Sequence, residues 1–165
     1  MVLGRSAHLP PELLFFPKWF PFNVYDWGCW ARQTIVPLTI VCTLRPVRPL
    51  LFGVDELRTG TAALRPEAAH APLWTWAGFF QRTDRVLHAY SRRPLRPLRR
   101  GAMRRAAKWI LARQEADGCR GGIQPPWVYS LLALHLLGYS LDHPSLRAGL
   151  AGLDGFVLCE KTPDG

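Results

Sequence analysis

A long apolar stretch, GGIQPPWVYSLLALHLLGY, occupies residues 121–139. Pro125 and Pro126 stop any preceding helix and suit the first turn of a new one, where missing backbone donors cost little. After these prolines, the polar side chains up to residue 137 are Tyr129, Ser130 and His135. Because a helix that is apolar on all sides must be buried on all sides, the pattern predicts an inner helix with its first turn facing an interior.

The uncharged run over residues 121–141 is long enough to suggest a membrane span. Glycine, glutamine and proline occupy most of its first six positions. They leave an apolar helix of about a dozen residues, too short to cross a bilayer of about 30 Å. A buried helix is therefore the preferred interpretation.

A second helix is predicted over residues 101–114, where apolar and basic positions separate onto two faces. The apolar face carries Met103, Ala106, Ala107, Ile110 and Leu111. The opposite face, which we expect to be solvated, carries Arg104, Arg105 and Lys108. Gly118 ends this segment, and Gly121 and Gly122 lead into the buried helix. An amphipathic outer helix, a glycine turn and a buried inner helix are the arrangement of an α/α barrel.

The first part of the chain predicts two further helices. A short one spans residues 9–16, begins with prolines and is limited by Pro17. A longer one is predicted within FPFNVYDWGCWARQTIVPLTIVCTL, with Asn23 as its N-cap and Asp26 at its third position. Pro37 is expected to kink or interrupt this helix about one turn before its end.

Residues 45–72 predict a surface insertion, because an extended RPVRPL connector precedes a segment without sustained periodicity. Residues 73–90 predict a helix whose first half is aromatic and whose second half is amphipathic. The aromatic half could enter a bilayer interface or pack on a neighbouring helix, and the pattern leaves both open. A last outer helix is predicted to start near residues 142–145.

Composition agrees with a globular all-α chain: 48% of the 165 residues are hydrophobic, and there are seven Trp and 15 Pro. The four cysteines lack metal-ligand spacing, and no cleavable signal segment precedes them: Cys29, Cys42, Cys119 and Cys159. We therefore expect a reduced intracellular compartment. The first ten residues lack a capping signal and no helix closes the chain, so we expect one α/α-barrel segment over 1–165, incomplete at both ends.

The positive charge is concentrated in one segment. Eight Arg and one Lys lie between Arg92 and Arg113 with no acid among them, an excess equal to the net charge of +9 of the whole chain. Such a patch could bind nucleic acid or an anionic membrane surface. No nucleic-acid-binding motif accompanies it, which favours a solvated outer helix face. The alternative is a non-catalytic helical binding module that contacts anionic lipid or nucleic acid through this patch.

Two segments in the same order, FNVYDWGCWARQTIVPL and RRAAKWILARQEADGCRGGIQPPWVYSLLALHLLGY, resemble the squalene–hopene cyclases. Enzymes of that family run to several hundred residues, so the chain resembles an internal fragment. The resemblance implies an α/α toroid and an isomerase that cyclises squalene through carbocations to pentacyclic hopanoids. A related cyclase acting on another polyprenoid chain would share these residues.

By this resemblance, Trp30 lines the central cavity, while Ile123, Gln124 and Pro125 form the cavity end where the polycyclic cation is quenched. Aromatic faces stabilise cations by about 0.5–2 kcal/mol each. The amide of Gln124 could orient the water that removes the last proton or adds as hydroxyl, or it could simply cap its helix. Two side chains are expected near the substrate entrance, Trp27 and Ile35.

The Gln-Trp motif of the family is matched by Arg105, Ala106, Trp109, Ile110, Gln114 and Gly118, but its Trp position holds Arg120. In the family that indole stacks on the Gln side chain, which joins the ends of adjacent helices. A guanidinium stacks there only partly, so we expect a clasp weakened by about 1–3 kcal/mol.

The family protonates a terminal alkene with an Asp-x-Asp-Asp motif, which lies downstream of this segment. No such cluster exists here, because the aspartates stand apart: Asp26, Asp55, Asp84, Asp117, Asp142, Asp154 and Asp164. The resemblance implies that this chain alone is inactive and uses no cofactor or metal. Its expected partners are squalene or a related polyprenoid and, for the complete enzyme, a monotopic membrane contact and a possible homodimer, but no nucleic acid.

Overall fold

The computed structural model describes residues 9–20, 23–47, 49, 71–72 and 74–157. These residues form two short 3₁₀-helices and five α-helices, without strands, which confirms the all-α class. The 3₁₀-helices are Pro11–Phe15 and Val24–Asp26, and the α-helices are α1 Cys29–Leu44, α2 Trp76–Arg92, α3 Arg96–Leu111, α4 Gln124–Leu136 and α5 Pro144–Asp154. The insertion predicted over residues 45–72 falls mostly outside the described residues.

The chain divides into two units, one made of Met1–Arg45 with Pro94–Gly165 and the other of Pro46–Arg93. The first unit contains α1, α3, α4 and α5. In its core, α1 packs on α4 more extensively than any other two described helices pack. Ile40 of α1, Ile110 of α3 and Leu134 of α4 are all almost fully buried there. Burying one such side chain contributes about 1.5–3 kcal/mol.

Helix α4 begins where the sequence predicts, with prolines in its first turn. Trp127 and Leu134 are buried, but His135 is exposed and Leu132 is only half-buried. The prediction that this helix is buried on all sides is therefore wrong for the described chain. The physical reason is that α1, α3 and α5 cover only part of its circumference.

Helix α3 has the two predicted faces but starts at Arg96 rather than at residue 101, because a proline fits its first turn. Ala106 and Ile110 face the core, whereas Arg104 and Lys108 are exposed. The same helix packs on the first 3₁₀-helix.

The segment before α1 differs from the prediction. Asn23 does act as a cap, but its Oδ1 accepts the backbone N–H groups of Tyr25 and Asp26 in the short 3₁₀-helix. Helix α1 starts only at Cys29. Pro37 does not interrupt α1, which continues for about two further turns and ends where Arg45 adopts a left-handed φ of 45°.

The turn between α3 and α4, residues 112–123, is called here the glycine turn. Gly118, Gly121 and Gly122 have φ values of 85°, 73° and 62°, which glycine adopts at little cost. Gly118 also lies against α5, since a Cβ there would stand 2.2 Å from the carbonyl oxygen of Ala148. The turn is thus both sharp and tightly packed.

Helix α5 begins with Pro144, as predicted for a last helix near residues 142–145. His143 caps it, because its Nδ1 accepts the N–H of Ser145 at 3.2 Å. The indole of Trp127 in α4 donates to the carbonyl of Gly149 at 3.0 Å, which fixes α5 against α4.

Helix α2 belongs to the second unit and is aromatic at its start, as predicted. Thr75 caps it by accepting the N–H of Gly78. Trp76, Phe79 and Phe80 form a ring cluster with centroids 5.5 to 6.2 Å apart. Across the described part of the chain, no helix combines the length and apolar character that a membrane crossing requires.

We expect Gly118→Ala to destabilise the protein more than Gly122→Ala. Both sites have a left-handed φ, which costs a non-glycine residue about 1–2 kcal/mol. Only Gly118 faces backbone atoms, whereas a Cβ at Gly122 meets open space. The clash should add at least about 2 kcal/mol.

Thermal or denaturant unfolding of the two purified variants measures this difference. Equal losses in the two proteins would show that the approach of the glycine turn to α5 is not close in solution.

Candidate functional site

The residues predicted to line a cavity lie at the N-terminal ends of α1 and α4. Trp30 is in the first turn of α1 and is 68% exposed. Ile123 directly precedes α4 and is 42% exposed, and Gln124 and Pro125 in the first turn of α4 are exposed as well. Large apolar groups and one amide are thus presented on the surface of the first unit.

These two helix ends are neighbours. A Cβ on Gly121 would lie 2.5 Å from Oε1 of Gln33, so the second turn of α1 abuts the glycine turn just before α4. Trp30 precedes Gln33 by one helical turn. The structure therefore brings the predicted cavity residues to one region of the unit.

The two predicted entrance residues are less accessible than Trp30. Trp27 lies just before α1 and is half-buried, with part of its surface packed on the core. Ile35 is half-buried in the second turn of α1. Their role at a substrate entrance stays a prediction.

Gln114 connects the ends of two helices. Its Nε2 donates to the carbonyl of Gly118 at 3.1 Å and to the carbonyl of Ser145 at 2.7 Å. The second bond links the chain just after α3 to the first turn of α5. Gln114 therefore makes an inter-helix connection through its own amide.

Arg120 is directed into the interior and is 2% exposed. Its Nη1 donates to the carbonyl of Ile110 in the last turn of α3. Burial lowers the pKa of Arg120 to about 10, so the guanidinium remains protonated near neutral pH. The expected partial stacking on Gln114 stays a prediction.

Two other motif positions make specific contacts. Arg105 Nη2 donates to the hydroxyl of Tyr25 at 2.9 Å, which ties α3 to the second 3₁₀-helix. The guanidinium of Arg113 lies 4.0 Å from the ring centroid of Trp109, a cation–π contact at the end of α3. The first contact joins two elements, whereas the second joins side chains four residues apart at the end of one helix.

The glycine turn contains a cluster of possible ligand atoms that the sequence pattern does not predict. Side-chain atoms of Glu115, Asp117 and Cys119 lie within 4.8 Å of one another. The thiol of Cys119 donates to Glu115 at 3.1 Å, and burial raises the pKa of this thiol to about 11. A thiolate is therefore disfavoured, and the cluster holds the turn together, since Glu115 also accepts the N–H of Gly121.

Gln33 was also missed, because nothing in its local sequence distinguishes it from a surface residue. The structure places its Oε1 out of contact with solvent, beside the glycine turn. Only the packing of α1 on α4 reveals this position.

Residues 4–162 match the family profile described as the squalene-hopene cyclase N-terminal domain. The chain is 42% identical over 149 residues to a squalene–hopene cyclase of Alicyclobacillus acidocaldarius, which covers 88% of the chain and 23% of that protein. It is 35% identical over 161 residues to a squalene hopane cyclase of Aspergillus fumigatus, covering 93% of the chain and 22% of that protein. It is 34% identical over 153 residues to a dammaradiene synthase of Dryopteris crassirhizoma, covering 91% and 22%.

The chain thus spans less than a quarter of the length of these relatives. All the helices of the described residues lie within the segment that the family profile matches. The all-α architecture agrees with the N-terminal domain of an α/α toroid. The chain belongs to the squalene–hopene cyclase family, and its residues 4–162 match the N-terminal domain of that family.

Proposed function

We propose that this segment supplies part of the cavity wall of a triterpene cyclase, which folds squalene or a related polyprenoid and cyclises it to pentacyclic hopanoids. The observation that carries the proposal is the exposure of Trp30, Ile123 and Pro125 together at two adjacent helix ends. Two relatives are named as squalene cyclases that form hopene or hopane, which supports this substrate class.

The chemistry explains why such a surface is useful. Squalene has no polar group by which it can be held, so shape and apolar contact must fold it. The cations formed during cyclisation are stabilised by aromatic faces, by about 0.5–2 kcal/mol each. An indole as exposed as that of Trp30 can present its face to a substrate.

Gln124 is proposed to hold the water that ends the reaction. Its side chain forms no hydrogen bond with the described residues, and α4 has no side-chain cap. This favours the water-orienting role over the capping alternative. An amide can both donate to and accept from a water that removes a proton or adds to the cation.

The proton that starts the cascade is proposed to come from another part of the protein. Protonating an alkene needs a strong acid that is held in position. The sequence contains no Asp-x-Asp-Asp cluster, so this chain alone should not turn over squalene.

A second candidate function, binding to an anionic lipid surface, is supported by the basic stripe. This stripe consists of Arg96, Arg100, Arg104 and Lys108, all exposed and spaced one turn apart over about 18 Å of α3. Beside it lies a groove of about 460 Å³ with an apolar floor. Cations next to apolar surface suit the headgroups and upper acyl chains of anionic lipids.

Gln124→Ala should change the products of the active enzyme more than its turnover. Alkene protonation stays intact because the acid lies elsewhere, whereas cations without a positioned water lose protons at other carbons. The expected mixture contains more alternative olefins and incompletely cyclised hydrocarbons, with less hydroxylated product. Gas chromatography of the products measures the shift.

Gln124→Asn is the matched control, because it keeps an amide that can donate to and accept from water, and it should change the mixture less. An unchanged product mixture at normal rate for Gln124→Ala would refute the water-positioning role.

Arg120→Trp should raise the melting temperature of the protein by a few degrees. The substitution removes a buried charge and restores the indole that the family motif has at this position. A gain of 1 kcal/mol corresponds to about 2–4 °C for domains of this size or larger. Differential scanning calorimetry measures the change.

Arg120→Lys keeps the charge and is the control, for which no rise is expected. No rise, or a fall, with Arg120→Trp would mean that this turn does not form the family clasp.

Arg104→Gln should weaken binding to phosphatidylglycerol vesicles about fivefold, since one cation near an anionic surface contributes about 1 kcal/mol. Arg147→Gln, an exposed arginine on α5 away from the basic stripe, should leave binding unchanged. Vesicle sedimentation at fixed ionic strength measures both. Equal binding by the two variants, or binding to duplex nucleic acid instead of vesicles, would contradict a lipid role for the stripe.

A further inference from the structure

Arg120 carries a buried positive charge with incomplete hydrogen bonding. Its Nη1 donates to Ile110, but its Nε and Nη2 are shielded from solvent and have no hydrogen-bond partner among the described residues. Buried donors without a partner are strongly destabilising, and a buried charge needs compensation even more. The position therefore requires an acceptor.

Gln33 provides an unpaired acceptor in the same place. Its Oε1 is shielded from solvent and lacks a partner among the described residues, while its Nε2 donates to Cys29 Sγ at 3.5 Å. Gln33 and Arg120 line one small internal space, which has no room for a water molecule. The rest of its lining is Trp109, Ile110, Arg113 and Ser130.

We propose that Arg120 donates a hydrogen bond to Oε1 of Gln33, and that this pair positions the N-terminal end of α1 against that of α4. Both side chains line the same small space, and Gln33 Oε1 lies beside Gly121, the residue that follows Arg120. A hydrogen bond from the guanidinium to the amide oxygen stabilises the buried charge, whereas donors left without an acceptor do not.

The pair connects the two halves of the proposed cavity surface. Gln33 follows Trp30 by one turn of α1, and Arg120 precedes Gln124 by four residues. Fixing Gln33 to Arg120 therefore fixes the aromatic face of Trp30 relative to the amide of Gln124. Both are positioning residues, and their effect on the reaction rests on the proposed function.

The pair also gives Arg120 a role that the family motif does not predict. In the motif this position stacks on the glutamine, but Gln114 is already bonded to two backbone carbonyls. Arg120 is instead directed toward α3 and α1. With arginine in place of the motif's tryptophan, the proposed contact joins the glycine turn to α1.

A double-mutant cycle tests the pair. Gln33→Met removes the acceptor at nearly constant size, and Arg120→Met removes the donor. We expect Gln33→Met to lower the folding equilibrium constant of the complete polypeptide at least about fivefold more when Arg120 is present than in the Arg120→Met background. Gln33→Met combined with Arg104→Met, an exposed arginine on α3, is the additive control.

If Gln33→Met lowers the folding equilibrium constant equally with Arg120 and with Arg120→Met, the two side chains do not form the proposed hydrogen bond. If Gln33→Met does not fold, Gln33→Glu replaces it, because a carboxylate opposite Arg120 keeps the contact. Gln33→Glu should then fold with Arg120 and lose stability with Arg120→Met, where its charge is buried without a partner. Equal stability of Gln33→Glu in the two backgrounds also overturns the pair.

Product analysis tests positioning separately from stability. In the active enzyme, Gln33→Met and Arg120→Met should shift the ratio of hydroxylated to olefinic products in the same direction, and the double variant should shift it no further. Arg120→Lys should restore the ratio partly. Coupled stability with an unchanged product ratio overturns the positioning role.

Failure of the proposed function can be distinguished from failure of the Gln33–Arg120 pair. If the complete unmutated enzyme that contains this segment forms no cyclised product from squalene, the cyclase proposal is refuted, and with it the positioning role that rests on it. The stability cycle would still decide whether Gln33 and Arg120 pair.

Discussion

The packing of α1 on α4 is the interaction on which the rest of this unit depends. These helices come from distant parts of the chain, and their contact buries Ile40 and Leu134 almost completely. Every other feature of the candidate site follows from it. The helix ends that present Trp30 and Gln124 become neighbours only because the apolar sides of α1 and α4 meet.

The glycine turn then determines how closely the ends approach. Left-handed backbone at three glycines lets the chain reverse between α3 and α4 within a short distance. Two hydrogen bonds hold this reversal in one conformation: the N–H of Gly121 donates to Glu115, and the amide of Gln114 donates to the carbonyl of Ser145. A rigid turn of this kind allows an exposed amide such as that of Gln124 to keep a fixed direction, which orienting a water requires.

The sequence was informative wherever local chemistry decides the structure. Proline pairs located the start of α4, and the alternation of apolar and basic residues identified both faces of α3. The start of α1 was misjudged because Asn23 caps whichever helical turn follows it, and here that turn is a short 3₁₀-helix. The burial of α4 was overestimated, because periodicity shows which side chains are apolar but not which neighbours cover them.

Contacts between distant residues could not be read from the sequence. Nothing near Gln33 indicates that its amide oxygen is shielded, because the shielding comes from the glycine turn about 90 residues away. The sequence likewise does not indicate that Arg120 points into the interior, because an isolated arginine in a turn is ordinarily solvated. The candidate cavity residues were found only through the family resemblance, and the structure adds that their helix ends adjoin.

The contacts that fix α5 have a consequence for mutational tolerance. Gln114 and Trp127 both donate to backbone carbonyls of α5, those of Ser145 and Gly149. Every amino acid has such a carbonyl, so the identity of the acceptor residue matters little, while the donor side chains cannot be exchanged freely. Substitutions should therefore accumulate at the exposed positions of α5 and remain rare at the two donors. They should also be rare at the buried Leu146 and at Gly149 and Gly152, where a Cβ would clash with α4 or the glycine turn.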